Sequence, residues 1–301
     1  MNTSPPPQHD HGLAFDLRTL VNRRTALGLF AGFGGATLLA ACATEPTPDT
    51  ASAGTTTGGS SASATPSASG GTTGGSSGGT TSSPSVTTAL ADCGVEIPQE
   101  TAGPYPGDGS NGPNVLVESG IVRQDLTTSF GSATGSVEGI PLTVTMTLLD
   151  GADGCRPLQG AAVYAWHCDA DGNYSLYSRG FESENWLRGV QEADANGQVT
   201  FTTVFPGAYP GRYPHIHFEV FRSLSDTSAA GQVVAVSQIA LTAASCEAVY
   251  ATAGYESSRR NFPGTPIDRD NVFGDDGGVH QLATMAGSVD AGYSAALNVT
   301  V

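Results

Sequence analysis

From residue 91 to residue 301 the chain is written in short runs of Val, Thr and Tyr, broken every few residues by Gly, Asp, Asn or Pro. No long stretch repeats its apolar residues every three to four positions, as a helix with one buried face must. That rhythm excludes a helical bundle and predicts an all-β domain, a single β-sandwich of ordinary size. Strands are expected at 121–126, 142–149, 161–167, 198–204, 215–222, 233–241, 282–289 and 294–301. The second of these alternates apolar and hydroxylated residues, the mark of a half-buried strand. One short helix is expected over 245–253.

The first third of the chain is of another kind. Arg23-Arg24 precede an uncharged, apolar run over 26–41 that ends Leu39-Ala40-Ala41-Cys42. Basic residues, a short apolar run and small residues at its end make an export signal, and the run falls short of the roughly 20 residues a spanning helix needs. The paired arginines suggest the twin-arginine route, although the flanking Asn22 and Thr25-Ala26 depart from its pattern, so general secretion stays open. Leu-Ala-Ala-Cys resembles a bacterial lipoprotein box, which would make Cys42 a lipid-bearing N-terminus and the lipid the chain's only membrane contact. The expected location is the cell surface or outside the cell. Residues 43–90 are almost wholly Gly, Ser, Thr, Ala and Pro, too poor in apolar surface to offset their ordering entropy, and are expected to form a tether. The division is therefore 1–42 export signal, 43–90 linker, 91–301 sandwich.

With 28 acidic and 12 basic residues the formal charge is −16, and every basic residue is arginine. Such a balance argues against nucleic acid or an anionic lipid surface as partner. Setting Cys42 aside leaves Cys93, Cys155, Cys168 and Cys246, an even number in an exported domain, which predicts two disulfides. Cys155 and Cys168 flank one expected strand and are the pair least suited to a bridge; the other connectivities stay open. No Cys-x-x-Cys spacing occurs, which disfavours cysteine metal ligands.

The stretch richest in chemistry is Pro206-Gly207-Ala208-Tyr209-Pro210-Gly211-Arg212-Tyr213-Pro214-His215-Ile216-His217-Phe218. His215 and His217 open an expected strand, where side chains two apart share a face roughly 6.6–7 Å apart and can converge on one metal ion. Tyr209 lies in a Pro/Gly loop that can aim a side chain freely of strand alternation.

Pro-Gly, a tyrosine, then an arginine three residues before His-Ile-His-Phe resembles the signature of the intradiol ring-cleavage dioxygenases, the family of catechol and protocatechuate dioxygenases. A segment of the form W-x-x-D-x-x-G-x-Y precedes it in that family, and Trp166-His167-Cys168-Asp169-Ala170-Asp171-Gly172-Asn173-Tyr174 has that form. Thr101-Ala102-Gly103-Pro104-Tyr105 is similar to the T-x-G-P-Y segment near the family's active-site mouth, making Tyr105 a candidate pocket residue. The resemblance implies Tyr174, Tyr209, His215 and His217 as ligands of non-haem Fe(III), with Tyr209 displaceable by substrate. Two phenolates and two imidazoles suit ferric iron better than zinc or ferrous iron. It also implies Arg212 and Gln238 as catalytic residues, a small aromatic diol and O2 as substrates, and a cis,cis-muconate-type diacid as product. His167 and Cys168 are expected to be non-ligands, and Asp169-Ala170-Asp171-Gly172 lacks the remaining ligands of a calcium loop. Residues 175–190, with Arg179, Trp186 and Arg188, are expected to border the pocket, as a solvated loop or as a seat for a carboxylated ring.

Two other classes compete. A zinc hydrolase or lyase would use His215, His217 and His280, and leaves both tyrosine motifs without a role. A cupin-type site wants a glutamate about four residues after the second histidine, and Glu219 is only two on. A surface-tethered sandwich that merely binds aromatic ligands would share the fold. The export reading carries its own test: cells fed a clickable fatty acid should label the protein, and Cys42→Ala should abolish the label.

Overall fold

The computed structural model describes residues 95–228 and 233–301. The expected export signal and linker, and Cys93, lie outside the described residues. Two sheets face one another. The first is built on β1 (Pro141–Asp150), which pairs antiparallel with β5 (Gln198–Val204) and with the two-residue β2 (Arg156–Pro157), and parallel with β9 (Gly292–Thr300), followed by β8 (Thr284–Ser288). The second runs β4 (Arg188–Glu192), β3 (Ala162–Trp166), β6 (His215–Phe221), β7 (Val233–Ala240), all neighbours antiparallel. Two short helices, α1 (Ala243–Tyr250) and α2 (Glu256–Asn261), follow β7.

Strand alternation divides the second sheet's side chains between two environments. Val163 and Ala165 of β3, Ile216, Phe218 and Val220 of β6, and Ala235 and Ile239 of β7 point into the sandwich. There they meet Leu142, Val144, Met146 and Leu148 of β1, Val199 and Phe201 of β5, and Ala295, Leu297 and Val299 of β9. The opposite face of the second sheet does not meet water. Tyr164 and Trp166 of β3 and Val190 of β4 pack there with Val115, Leu116, Ile121 and Tyr174 from irregular segments. His215 and His217 belong to this loop-covered face, and all seven residues of β6 are buried.

Several expectations need correcting. Residues 121–126 form no strand; Val122 and Asp125 make only isolated bridges, to Val190 and Thr202. The segment is held through Arg123, whose Nε donates to the Arg188 carbonyl at 2.8 Å. Residues 188–192, expected to be loop, are strand β4. The expected helix at 245–253 is α1, shifted two to three residues toward the N-terminus, and α2 was not anticipated. Of the two expected disulfides one is absent: Cys155 is disulfide-bonded, whereas Cys168 and Cys246 are free and buried, burial pushing both thiols well above their ordinary range.

His167 is buried just beyond β3, its Nδ1–H donating to the Cys168 carbonyl at 2.8 Å and its Nε2 accepting from Thr203 Oγ1 at 2.7 Å. Burial lowers its pKa from 6.5 to about 4. The unfolded chain therefore takes up this proton first as pH falls, and stability declines from pH 6.5 down to about 4, by about 1.4 kcal/mol per pH unit from this group. His167→Gln cannot titrate, so its urea midpoint should approach or pass that of the wild type as pH drops through this window. A constant gap between the two would refute the neutral, buried imidazole.

Candidate metal centre and active site

The register of the second sheet places Arg188, Trp166, His217 and Gln238 in one row, each the partner of the next across β4, β3, β6 and β7. Paired residues share a face, so one face carries in succession a cation, an indole, an imidazole and an amide. Trp166 and His217 stack with rings 4° from parallel and centroids 4.9 Å apart. His215, two residues before His217, brings its Nε2 to 3.1 Å from His217 Nε2.

The two tyrosines arrive from separate loops. Asp169 accepts from the backbone N–H of Asp171 and Asn173, closing a tight turn through Gly172 that delivers Tyr174. Gly172 has φ +93°, and a Cβ there would stand 2.9 Å from Tyr209 Cβ, so the turn that presents one tyrosine is also the wall behind the other. Tyr174 is fully buried against Tyr105, ring centroids 4.8 Å apart. Tyr209, half-buried, places its Oη 3.5 Å from Tyr174 Oη and 3.2 Å from His215 Nε2. All four expected ligands thus converge: two phenol oxygens and two imidazole nitrogens linked by separations of 3.1–3.5 Å.

The protonation states are set by surroundings. His215 Nδ1 lies 2.5 Å from the Tyr213 carbonyl, so that nitrogen carries the proton and Nε2 presents a lone pair to the cluster. Burial, then Arg212, holds the His215 pKa far below the imidazole range; burial, then His215 and Arg212, does the same to His217. Both are neutral, the form that binds metals. Burial, then Tyr209, raises the Tyr174 phenol well above its usual range, so a strong Lewis acid must displace its proton.

Arg212 and Gln238 stand beside the cluster. Arg212 Nη1 is 3.4 Å from His215 Nε2, and its Nη2 donates to Gln238 Oε1 at 2.6 Å. Gln238 is fully buried and donates through Nε2 to the Thr101 carbonyl at 3.0 Å. That bond helps bring the 101–105 segment over the site, where a Cβ on Gly103 would lie 3.2 Å from His217 Cε1. One functional candidate was not singled out from sequence: Asp270, whose side chain is wholly buried in an ion pair with Arg212 at 3.0 Å. Its signal, an aspartate opening Asp270-Asn271-Val272-Phe273, carries no motif.

Arg188 differs from both expectations for it. Its Nε donates to Ser175 Oγ, Nη1 to the Pro106 carbonyl and Tyr164 Oη, and Nη2 to the Tyr105 and Ser175 carbonyls, at 2.8–3.0 Å. Every donor is used, so it clamps the Tyr105 and Tyr174 segments and has none left for a ligand. Trp186 is buried in the sandwich core, and Arg179 is exposed. Among the described residues no three His, Cys, Asp or Glu side chains gather as a metal site, so His280 does not complete a three-histidine zinc centre.

A family model described as a dioxygenase matches residues 111–234, which include both tyrosines, Arg212 and both histidines. The 6-chlorohydroxyquinol 1,2-dioxygenase of Cupriavidus pinatubonensis is 35% identical over 88 residues, 23% of this chain and 31% of that enzyme, so the match spans under a third of that relative. The solved intradiol ring-cleavage dioxygenase from Tetranychus urticae is 27% identical, covering 68% of this chain and 94% of that one with a TM-score of 0.53. A second solved dioxygenase is 26% identical, covering 68% and 93%, with a TM-score of 0.54. The dioxygenase match falls within the sandwich, whose fold is similar to that of these solved enzymes. In sequence over residues 111–234 and in fold, the chain is similar to intradiol ring-cleavage dioxygenases.

Gly172→Ala should destabilise the domain by about 1–3 kcal/mol, since alanine is strained at this φ and its Cβ collides with Tyr209. Urea unfolding checks this, and a loss below about 0.5 kcal/mol would show that the turn relaxes.

Proposed function

We propose that this domain is a non-haem Fe(III) intradiol dioxygenase that opens a catechol-type ring between its two hydroxyls with O2, giving a cis,cis-muconate-type diacid. The observation that carries the reading is the convergence of Tyr174 Oη, Tyr209 Oη, His215 Nε2 and His217 Nε2. Atoms about 3 Å apart are spaced like neighbours around one ion bound at roughly 2.0–2.2 Å. Neutral imidazoles and ionisable phenols fit ferric iron, which would supply the Lewis acidity that lets a catechol dianion bind and react with O2.

The chain's own residues divide the remaining work. Tyr174, buried and backed by Tyr105, keeps its place. Tyr209, half-buried at the end of a loop, is the phenol able to yield to substrate and accept one of its protons. The Arg212 guanidinium stays charged at the cluster's edge, since Tyr209 and Asp270 more than offset its burial, and stabilises negative charge developing on the ring. Gln238, bonded to Arg212, borders the same space and would steer the later rearrangement. No donor of Arg188 is available for a ring carboxylate, which favours catechol or hydroxyquinol over protocatechuate. The Cupriavidus relative's printed substrate, a hydroxyquinol, accords with that preference. The export signal and lipid anchor read at 23–42 would place the enzyme outside the cell membrane, where aromatic diols freed from polymers are plausible substrates.

The purified, iron-loaded domain should be red-brown from phenolate-to-iron charge transfer, shift its band to longer wavelength with catechol, and consume O2. Tyr174→Phe, Tyr209→Phe, His215→Ala or His217→Ala should lose colour, iron, or both, whereas Arg212→Ala should keep iron and lose about a hundredfold or more in turnover. Full iron content in all four ligand variants would sink the assignment. A coloured protein that binds catechols without oxygen uptake would favour the binding-module alternative.

A further inference from the structure

The Arg212 side chain has five N–H donors, and their partners are unequal. Nε donates to Asp270 Oδ2 at 3.0 Å, while Nη2 reaches Asp270 Oδ1 at 3.3 Å and Gln238 Oε1 at 2.6 Å. Three of the five are therefore held by Asp270 and Gln238. Nη1 remains, 3.4 Å from His215 Nε2. A planar guanidinium gripped along its Nε–Nη2 edge cannot rotate, so the edge that faces the cluster is decided by what grips it.

Asp270 is itself built to grip. Its side chain has no exposed area. Oδ2 accepts from Tyr213 N at 2.6 Å, and Oδ1 from Val272 N at 2.8 Å and Phe273 N at 3.1 Å, besides the bonds from Arg212. Five donors on two oxygens hold the carboxylate in one orientation and offset its desolvation. One of them, Tyr213 N, lies between Arg212 and the first histidine, so Asp270 fixes both the guanidinium and the backbone that leads into the ligand strand.

We infer that Asp270 is a positioning residue for the dioxygenase reaction: it sets Arg212 so that its Nη1 edge faces the reacting ring. This rests on the proposed function, and it reaches outside the segment matched by the family model, which ends at residue 234. Its effect on the reaction runs through Arg212, while the bond from Tyr213 N anchors the backbone before β6.

The test is a double-mutant cycle on the iron-loaded enzyme: wild type, Asp270→Asn, Arg212→Met and the double variant, with kcat expressed per bound iron. Asp270→Asn should lower kcat about tenfold to a hundredfold, moving KM for catechol by less than about threefold, with the charge-transfer band retained. In the Arg212→Met background the same change should cost less than about twofold, because the residue through which it acts is gone. Equal losses in both backgrounds, or an unchanged kcat per iron in Asp270→Asn, would overturn the inference. An asparagine here must set its NH2 against at least one N–H donor. If that variant fails to accumulate as folded, iron-loaded protein, Asp270→Glu takes its place under the same criteria, since the longer carboxylate keeps the charge but displaces Arg212. A wild type that turns over no catechol sinks the proposed function and this inference together, whereas an active wild type with an unaffected variant sinks only the inference.

Discussion

Everything at the site hangs on strand β6 having two buried faces of opposite character. Ile216, Phe218 and Val220 enter the sandwich, each worth about 1.5–3 kcal/mol on burial, and that term fixes the strand's register. A slip of one residue would put both imidazoles into the apolar core and three large apolar side chains among the loops. The histidines are thus oriented by the hydrophobic residues between and beyond them. Pairing with β3 and β7 then aligns Trp166 and Gln238 with His217, so a stacked indole and a polar amide come to the site without any contact of their own to choose it.

The same face buries two arginines, and the difference between them separates structure from chemistry. Burying a guanidinium is tolerable only when its donors are satisfied. Arg188 meets that demand with neutral oxygens alone, three backbone carbonyls and two hydroxyls, and becomes a rivet between the Tyr105 and Tyr174 segments. Arg212 meets it with a carboxylate along its Nε–Nη2 edge and an amide on the other Nη2 hydrogen, so that Nη1 is left facing His215. A cation paired in this lopsided way keeps donors directed at the cluster, which a fully enclosed one cannot.

This contrast also shows where the sequence was legible. His215 and His217 could be paired from strand alternation, whereas Tyr209 and Tyr174 joined them as ligands only through the resemblance of their turn segments to a family signature. The sandwich was readable from alternation too, most of its strands carrying their own period-two pattern. β4 was not, because Arg188-Gly189 has neither an apolar pattern nor β-branched residues; it is a strand because β3 supplies a partner and Arg188 finds its acceptors 82 and 83 residues upstream. Residues 121–126 erred the other way, having strand composition but no neighbour to pair with beyond isolated bridges. Asp270 was invisible because its meaning lies in an arginine 58 residues earlier. The even cysteine count misled in part: Cys155 is disulfide-bonded, but Cys168 and Cys246 behave as small buried apolar groups, a common role for free cysteine.

The two short helices, which weak periodicity left half-seen, account for the geometry of the ligand loop. Residues 205–208 have no regular structure, yet 205, 206 and 208 are each held by a side chain from this insert or a residue bordering it, and Gly207 N donates to the Asp169 carbonyl. Tyr255 Oη donates to the Phe205 carbonyl, Tyr250 Oη to the Pro206 carbonyl, Asn261 Nδ2 to the Ala208 carbonyl, and Ser258 Oγ accepts from Ala208 N. Ser258 Oγ also donates to the Ala170 carbonyl, so one hydroxyl ties the Tyr209 loop to the turn that delivers Tyr174. Gly207 lies where a Cβ would strike the Asp169 and Ala170 carbonyls, which lets the two loops approach this closely. Tyr209 follows this fixed stretch and is half-buried, its carbonyl accepting from Arg212 N at 3.5 Å, while Tyr174 is fully buried between Tyr105 and His217. If one of two phenols must give way to a substrate, the difference in burial favours Tyr209.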